Sequence, residues 1–337
     1  MKRFLLCFVP ATLALACGGG VTDAGLPTPS VANPNVNVEK EDVAFTLETD
    51  EVSIPPGTET QMCYFFQVPG DVPLWINRIV ATQTEGSHHL NVFRVKTIKD
   101  LSGKPGEKVV DGTCWKSANW ADWPLVINSQ EQGDVDWTLP EGVAHKFEPG
   151  ELIMLQSHYV NASTQKTPGT AKASIRFDRA PEGKPQQELG TAFASNQNIQ
   201  VCPGDVDKSV AANCNVAGAD PVTIVGANGH FHSRGREFTM SLFDPQTGAS
   251  DTPFYTSKSW AEPVMQRGMS VVIPPKGGFQ YKCEYDVPAD SCGDPTKMCC
   301  FTFGPKVEVN EHCNAFVYYY PKGASDVRCF LPPGAHF

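Results

Sequence analysis

The sequence predicts an all-β protein built from two antiparallel β-sandwich domains. Three observations carry this reading. Short apolar or alternating runs recur between turn signals along most of the chain. Gly (29 residues) and Pro (28 residues) are abundant beside Val, Thr, Phe and Tyr. No segment shows a convincing amphipathic helical period. At 337 residues the chain is long enough for two domains, each with a sizeable core.

The first sixteen residues read as a targeting segment. Lys2 and Arg3 precede the apolar run Phe4–Ala16, which is too short to span a bilayer. It ends in Leu13-Ala14-Leu15-Ala16-Cys17-Gly18, which resembles a bacterial lipobox with Cys17 as the lipidated residue. An ordinary signal peptide cut near Ala16 is the alternative. Both place the protein outside the cytoplasm, and the lipobox reading makes it an exported lipoprotein held to the membrane only through its anchor. Residues 17–40, rich in Gly, Pro and Asn without periodicity, read as a flexible tether.

The first domain is expected over 41–180. Its strand-like runs are Val43–Leu47, Gln61–Val68, Leu74–Val80, Leu90–Val95, Leu152–Val160 and Ala173–Phe177. The polar stretch Arg179–Gly190 has no apolar pattern and reads as the link. The second domain is expected over 191–335, with runs at Val222–Val225, Glu237–Phe243, Met269–Ile273, Phe279–Tyr285 and Ala315–Tyr320.

Charge excludes some partners. Taking Lys2 and Arg3 from the 27 basic residues leaves 25 against 37 acidic ones, a formal charge of −12. That disfavours nucleic acid and anionic membrane surfaces. Without Cys7 and Cys17, ten of the twelve cysteines remain, an even number that reads as five disulfides in an exported protein. A thiolate metal site from Cys292, Cys299 and Cys300 is the competing reading.

The histidines carry the functional argument. His88 and His89 open a strand-like segment and His158 lies in another run of the same domain. His230 and His232 form an HxH pair, and His312 precedes a Tyr-rich run, so each domain holds three. Neutral imidazole is a common ligand for copper and zinc, and three such nitrogens leave a position open for oxygen, water or substrate. Residues i and i+2 of a strand share a face, so His230 and His232 can grip one ion while Phe231 faces the core. Adjacent His88 and His89 can do so only if the backbone bulges there. His145, in a Gly/Pro-rich stretch, and His336, at the C-terminus, fit neither trio.

These motifs, in this order, resemble the copper type II, ascorbate-dependent monooxygenases, the peptidylglycine α-hydroxylating and dopamine β-hydroxylating family. The resemblance rests on His88-His89, on Leu155-Gln156-Ser157-His158-Tyr159, on the pair His230 and His232, and on Glu311-His312-Cys313 before Tyr318-Tyr319-Tyr320-Pro321. It implies two jelly-roll-like sandwiches facing each other across a solvent-filled cleft, with one copper ion on each face. His88, His89 and His158 would hold the first copper, fed with electrons by ascorbate or a similar reductant. His230, His232 and His312 would hold the second, where O2 reacts and a C–H bond of a small-molecule substrate is hydroxylated. Gln156 resembles a residue lining the route between the centres. The family's cysteine pattern implies Cys283–Cys313 and Cys214–Cys329, and then Cys63–Cys114 within the first domain. Cys202, Cys292, Cys299 and Cys300 stay unassigned.

Two departures matter. His312 stands where the family has a methionine, replacing a soft thioether that favours Cu(I) by a harder imidazole. Asn228 and Phe316 stand where peptide-amidating members carry a substrate-binding arginine and tyrosine, which points away from a peptidylglycine substrate. The alternatives to a dicopper monooxygenase are an anchored copper-binding protein with lost or altered oxygen chemistry, and an exported β protein whose histidines bind zinc or nothing.

Overall fold

The computed structural model describes residues 42–98, 104–110, 123–131, 133–161, 168–184, 186–289 and 299–334. The leader, Cys17, the tether, Cys114, Cys292 and His336 lie outside them. Among the described residues all regular structure is β, and no helix is long and apolar enough to cross a membrane.

Strand pairing divides the chain at Leu189. One five-stranded sheet runs Lys108–Val110, Thr58–Gln67, Leu152–Asn161, Ser87–Arg94 and Leu125–Ser129. A second holds Val43–Glu48, Ala173–Arg179, Leu74–Gln83, Val143–Phe147 and Gln187–Glu188, with Gly133–Thr138 also paired to Leu74–Gln83. After the division, five strands run Gln266–Ile273, Val222–His230, Asn314–Tyr320, Gly190–Asn196 and Val327–Leu331. Four more run Lys208–Asn215, Gly278–Tyr285, Gly235–Asp244 and Gly248–Ser257. The end of the expected link is therefore a strand, because Gln187–Glu188 pairs in parallel with Val143–Phe147.

Burial follows from the side chains. Leu74–Gln83 and Gly278–Tyr285 alternate between buried and part-exposed positions, as half-covered strands do. Ser87–Arg94, Val222–His230 and most of Leu152–Asn161 are buried on both faces. Polar residues on such strands cannot reach water and must find partners inside the protein.

The apolar core runs across the division. Phe193, Val225, Met265, Phe316 and Tyr318 pack into the same core as Phe93, Ile127, Trp137 and Leu155. Trp137 and Tyr318 meet edge to face at 4.8 Å. Arg267 forks onto both oxygens of Glu131 at 2.7 Å, and Thr191 Oγ1 donates to Leu125 O at 2.6 Å. Among the described residues, three disulfides have both partners in the second part: Cys202–Cys300, Cys214–Cys329 and Cys283–Cys313. Two are the pairs that the resemblance implies, and the first resolves two of the unassigned cysteines. Cys63 and Cys299 are also disulfide-bonded.

Candidate metal centre

The six histidines meet in one place. His88 lies 5.3 Å from His89, 5.2 Å from His158 and 4.9 Å from His230, ring centre to ring centre. His230 lies 5.2 Å from His232 and 5.0 Å from His312, and His232 lies 4.3 Å from His312. None of the six exposes more than 5% of its surface. The resemblance implies two trios facing each other across an open cleft; the structure instead fuses them into one buried cluster, because the two parts share a core.

Local structure aims each ring. The strand Ser87–Arg94 carries a bulge, in which His158 pairs with His89 and Tyr159 with Ser87, leaving His88 as the extra residue. The bulge turns both adjacent imidazoles to one side. Phe231 is fully buried in the core while its two neighbours face the cluster, as i, i+2 alternation requires. That segment lies tight against its neighbours: a Cβ on Gly229 would stand 2.4 Å from the Phe238 ring, so only glycine fits there. Cys313 points away from the cluster into its disulfide.

Two groups of three offer ligand atoms within 4.8 Å of one another: His88, His89, His230 and His230, His232, His312. The first departs from the sequence-based set, with His230 replacing His158. The physical reason is that His158 turns Nε2 to Glu59 Oε2 at 3.3 Å, which also holds the Glu59 pKa low. His145 lies on the strand Val143–Phe147, not in a loop, and belongs to neither group.

The hydrogen bonds select tautomers that suit a metal. His230 Nδ1 donates to Gln130 Oε1 at 2.6 Å, and His232 Nδ1 donates to Asn310 O at 3.0 Å. Each leaves Nε2 as the free lone pair. The Nε2 atoms of His88 and His230 and Nδ1 of His158 are buried without a hydrogen-bond partner among the described residues. Orphaned acceptors cost free energy unless something binds them. A transition metal held by nitrogen is a group that these atoms fit.

A chain of carboxamides backs the cluster. Asn91 Nδ2 donates to Gln156 Oε1 at 2.7 Å, Asn128 Nδ2 to Asn91 Oδ1 at 2.6 Å, and Gln130 Nε2 to Asn128 Oδ1 at 3.1 Å. Asn228 also donates to Asn128 Oδ1. Gln156, Asn91 and Asn128 stand in direct cross-strand register. Gln130 reaches across the division, donating to Gly229 O at 2.9 Å while accepting from His230. Sequence reasoning picked out Gln156 and Asn228 but missed Asn91, Asn128 and Gln130. For Asn91 a signal was there: an amide stands two residues from a candidate ligand in His89–Asn91, Gln156–His158, Asn228–His230 and His312–Asn314, a spacing that reaches neither Asn128 nor Gln130.

Burial pushes the His88, His89, His230 and His312 pKa values well below the ordinary imidazole range, and neighbouring histidines add to it. His232 falls to about 4, mainly through burial. His145 is lowered too, again by burial first. Glu311 moves the other way, to about 7, because burial outweighs the backbone N–H groups of Arg234 and His232 that its carboxylate accepts. Between pH 6.5 and about 4 the unfolded chain therefore binds protons at six histidines that the native state leaves neutral, against one extra native proton on Glu311. The histidine contribution to stability of the metal-free protein should be full above pH 6.5 and fall as pH drops through that window, by about 1.4 kcal/mol per pH unit for each net proton, while the smaller Glu311 contribution is lost as pH rises through about 7. Denaturant midpoints at pH 7.5, 6, 5 and 4 check this, and a flat profile would refute it.

No protein-family model and no curated protein matches the chain. Among solved structures, the glycosylasparaginase PNGase F of Flavobacterium meningosepticum is 11% identical at a TM-score of 0.36, covering 85% of this chain and 97% of that one. A recombinant N-glycanase F is 10% identical at 0.31, covering 84% and 97%. The VP2 subviral particle of infectious bursal disease virus is 11% identical at 0.20, covering 82% and 72%. Likenesses this distant fix neither a fold family nor an activity.

Proposed function

We propose that this chain is an exported, lipid-anchored copper protein. Its histidine cluster holds two ions and uses O2 and an ascorbate-like reductant to hydroxylate a C–H bond of a small molecule. The observation that carries the reading is the convergence of six buried imidazoles, with His88 Nε2, His230 Nε2 and His158 Nδ1 lacking a hydrogen-bond partner among the described residues. The jelly-roll form of the two sandwiches belongs to the same proposal.

When bound, copper would supply one-electron chemistry and an open position for oxygen. The protein's own groups do the rest. His88 and His89 offer nitrogens on one side and His232 and His312 on the other, and the one free nitrogen of His230 completes one of the two groups. Gln130 and the Asn310 carbonyl hold the protons of His230 and His232 on Nδ1, so that Nε2 stays a lone-pair donor. Glu59 orients His158, and Glu311 ties the backbone after the HxH pair by accepting from His232 and Arg234 N–H groups. The tight burial excludes bulk water, which protects oxidising species from side reactions.

Metal analysis of the purified chain, followed by oxygen uptake with ascorbate, tests the reading. Two coppers per chain and reductant-dependent uptake are expected. Copper without uptake would favour the copper carrier, which His312 in place of a thioether also favours. Zinc alone, or no metal, would overturn both.

A further inference from the structure

Beside the histidine cluster lies a cavity of about 480 Å³, within the range of small-molecule sites. Both parts of the chain wall it. Glu59, Val160 and Asn161 come from one, and Arg234, Trp260 and Lys306 from the other. It meets the cluster at three points. Glu59 is bonded to His158, the Trp260 ring lies 6.4 Å from the His88 ring, and Arg234 follows His232 by two residues.

The wall is not chemically neutral in what it offers. The Glu59 carboxylate is already engaged by the His158 ring and the Val307 backbone. Arg234 is different. Its Nη1 donates to Ser233 Oγ at 2.6 Å and to Val307 O at 3.0 Å, and its guanidinium lies 4.1 Å over the Phe301 ring. Those contacts fix the plane of the group, yet a guanidinium has five N–H donors. Nε and Nη2 are left without an acceptor, and no carboxylate pairs with Arg234 among the described residues. Lys306 adds a second cation on the exposed rim, two residues before the carboxylate Glu308. A held, half-buried guanidinium with spare donors recognises a carboxylate in forked geometry. The part-buried Trp260 indole offers a flat apolar surface between it and His88.

We infer that this cavity is the substrate vestibule of the cluster and takes a small carboxylate on an aromatic body, with Arg234 gripping the carboxylate and Trp260 the ring. The inference rests on the cluster being the reactive centre, but binding in the vestibule needs no metal. The test is therefore calorimetric titration of phenylacetate and phenethylamine into the metal-free full chain and into R234Q and W260L. Phenylacetate should bind at least tenfold more tightly than the amine, R234Q should lose at least tenfold in phenylacetate affinity, and W260L several-fold. The Trp260 side chain has no hydrogen bond among the described residues, so W260L still reads the site should R234Q not fold. Absence of phenylacetate binding, equal binding of the amine, or unchanged affinity in W260L overturns the inference. Binding without copper retention would leave the vestibule standing and sink the copper reading. Oxygen uptake without phenylacetate binding would do the reverse.

Discussion

Replacing His230 by alanine should reduce bound copper from two ions per chain to about one. His230 is the only histidine in both metal-capable groups among the described residues; its one free nitrogen, Nε2, can serve a single ion, so the deletion takes a ligand from the group it completes and leaves that group with two. The loss should exceed the 10–100-fold that removal of a supporting partner costs. Stability gives a second readout, independent of activity. An ion binding only the native state at a thousand times its Kd adds about 4 kcal/mol. Copper should therefore raise the wild-type melting temperature markedly and that of His230→Ala clearly less. His158→Ala is the internal control, because its ring belongs to neither tight group and leans on Glu59. It should retain more copper than His230→Ala. Equal copper loss in His158→Ala and His230→Ala would show that the trios act separately after all.

Much of this site was legible in the sequence because its signals are local. The i, i+2 spacing of His230 and His232, with Phe231 turned into the core, follows from strand geometry alone. The bulge at His88 follows from asking how two adjacent residues can face one way. The strand Gly190–Asn196 was not legible. It is wholly buried but made of Gly, Thr, Ala, Phe, Ser and Asn, so it shows no alternation. Nor was the fusion of the two trios. It depends on contacts such as Asn128 N–H to Tyr318 Oη at 2.7 Å, across 190 residues, and on Arg267 finding Glu131. No local period encodes a contact of that range. The carboxamides were hidden for a related reason. Asn and Gln in isolation read as turn or surface residues, and only the recurrence of an amide two positions from four of the six histidines sets some of them apart.

Replacing Gln130 by leucine tests whether that chain holds the centre together. The exchange keeps roughly the side-chain volume but removes the acceptor for His230 Nδ1–H and the donors to Gly229 O and Asn128 Oδ1. All of these groups are buried, and each one stranded costs about 1–3 kcal/mol. Asn128 keeps bonds to Asn91 and Asn228, so the burden falls on His230 and Gly229. A loss of roughly 3 kcal/mol is expected, or about 10 °C in melting temperature at the rate usual for domains of 150–250 residues. Copper affinity should fall 10–100-fold as well, because nothing then holds the His230 proton on Nδ1. Gln130→Glu separates the two effects. Its carboxylate still accepts from His230 but cannot donate to Gly229 O, so it should lose stability while keeping copper. If Gln130→Leu melts with the wild type and binds copper equally well, the carboxamides are passive filling and the histidines orient themselves.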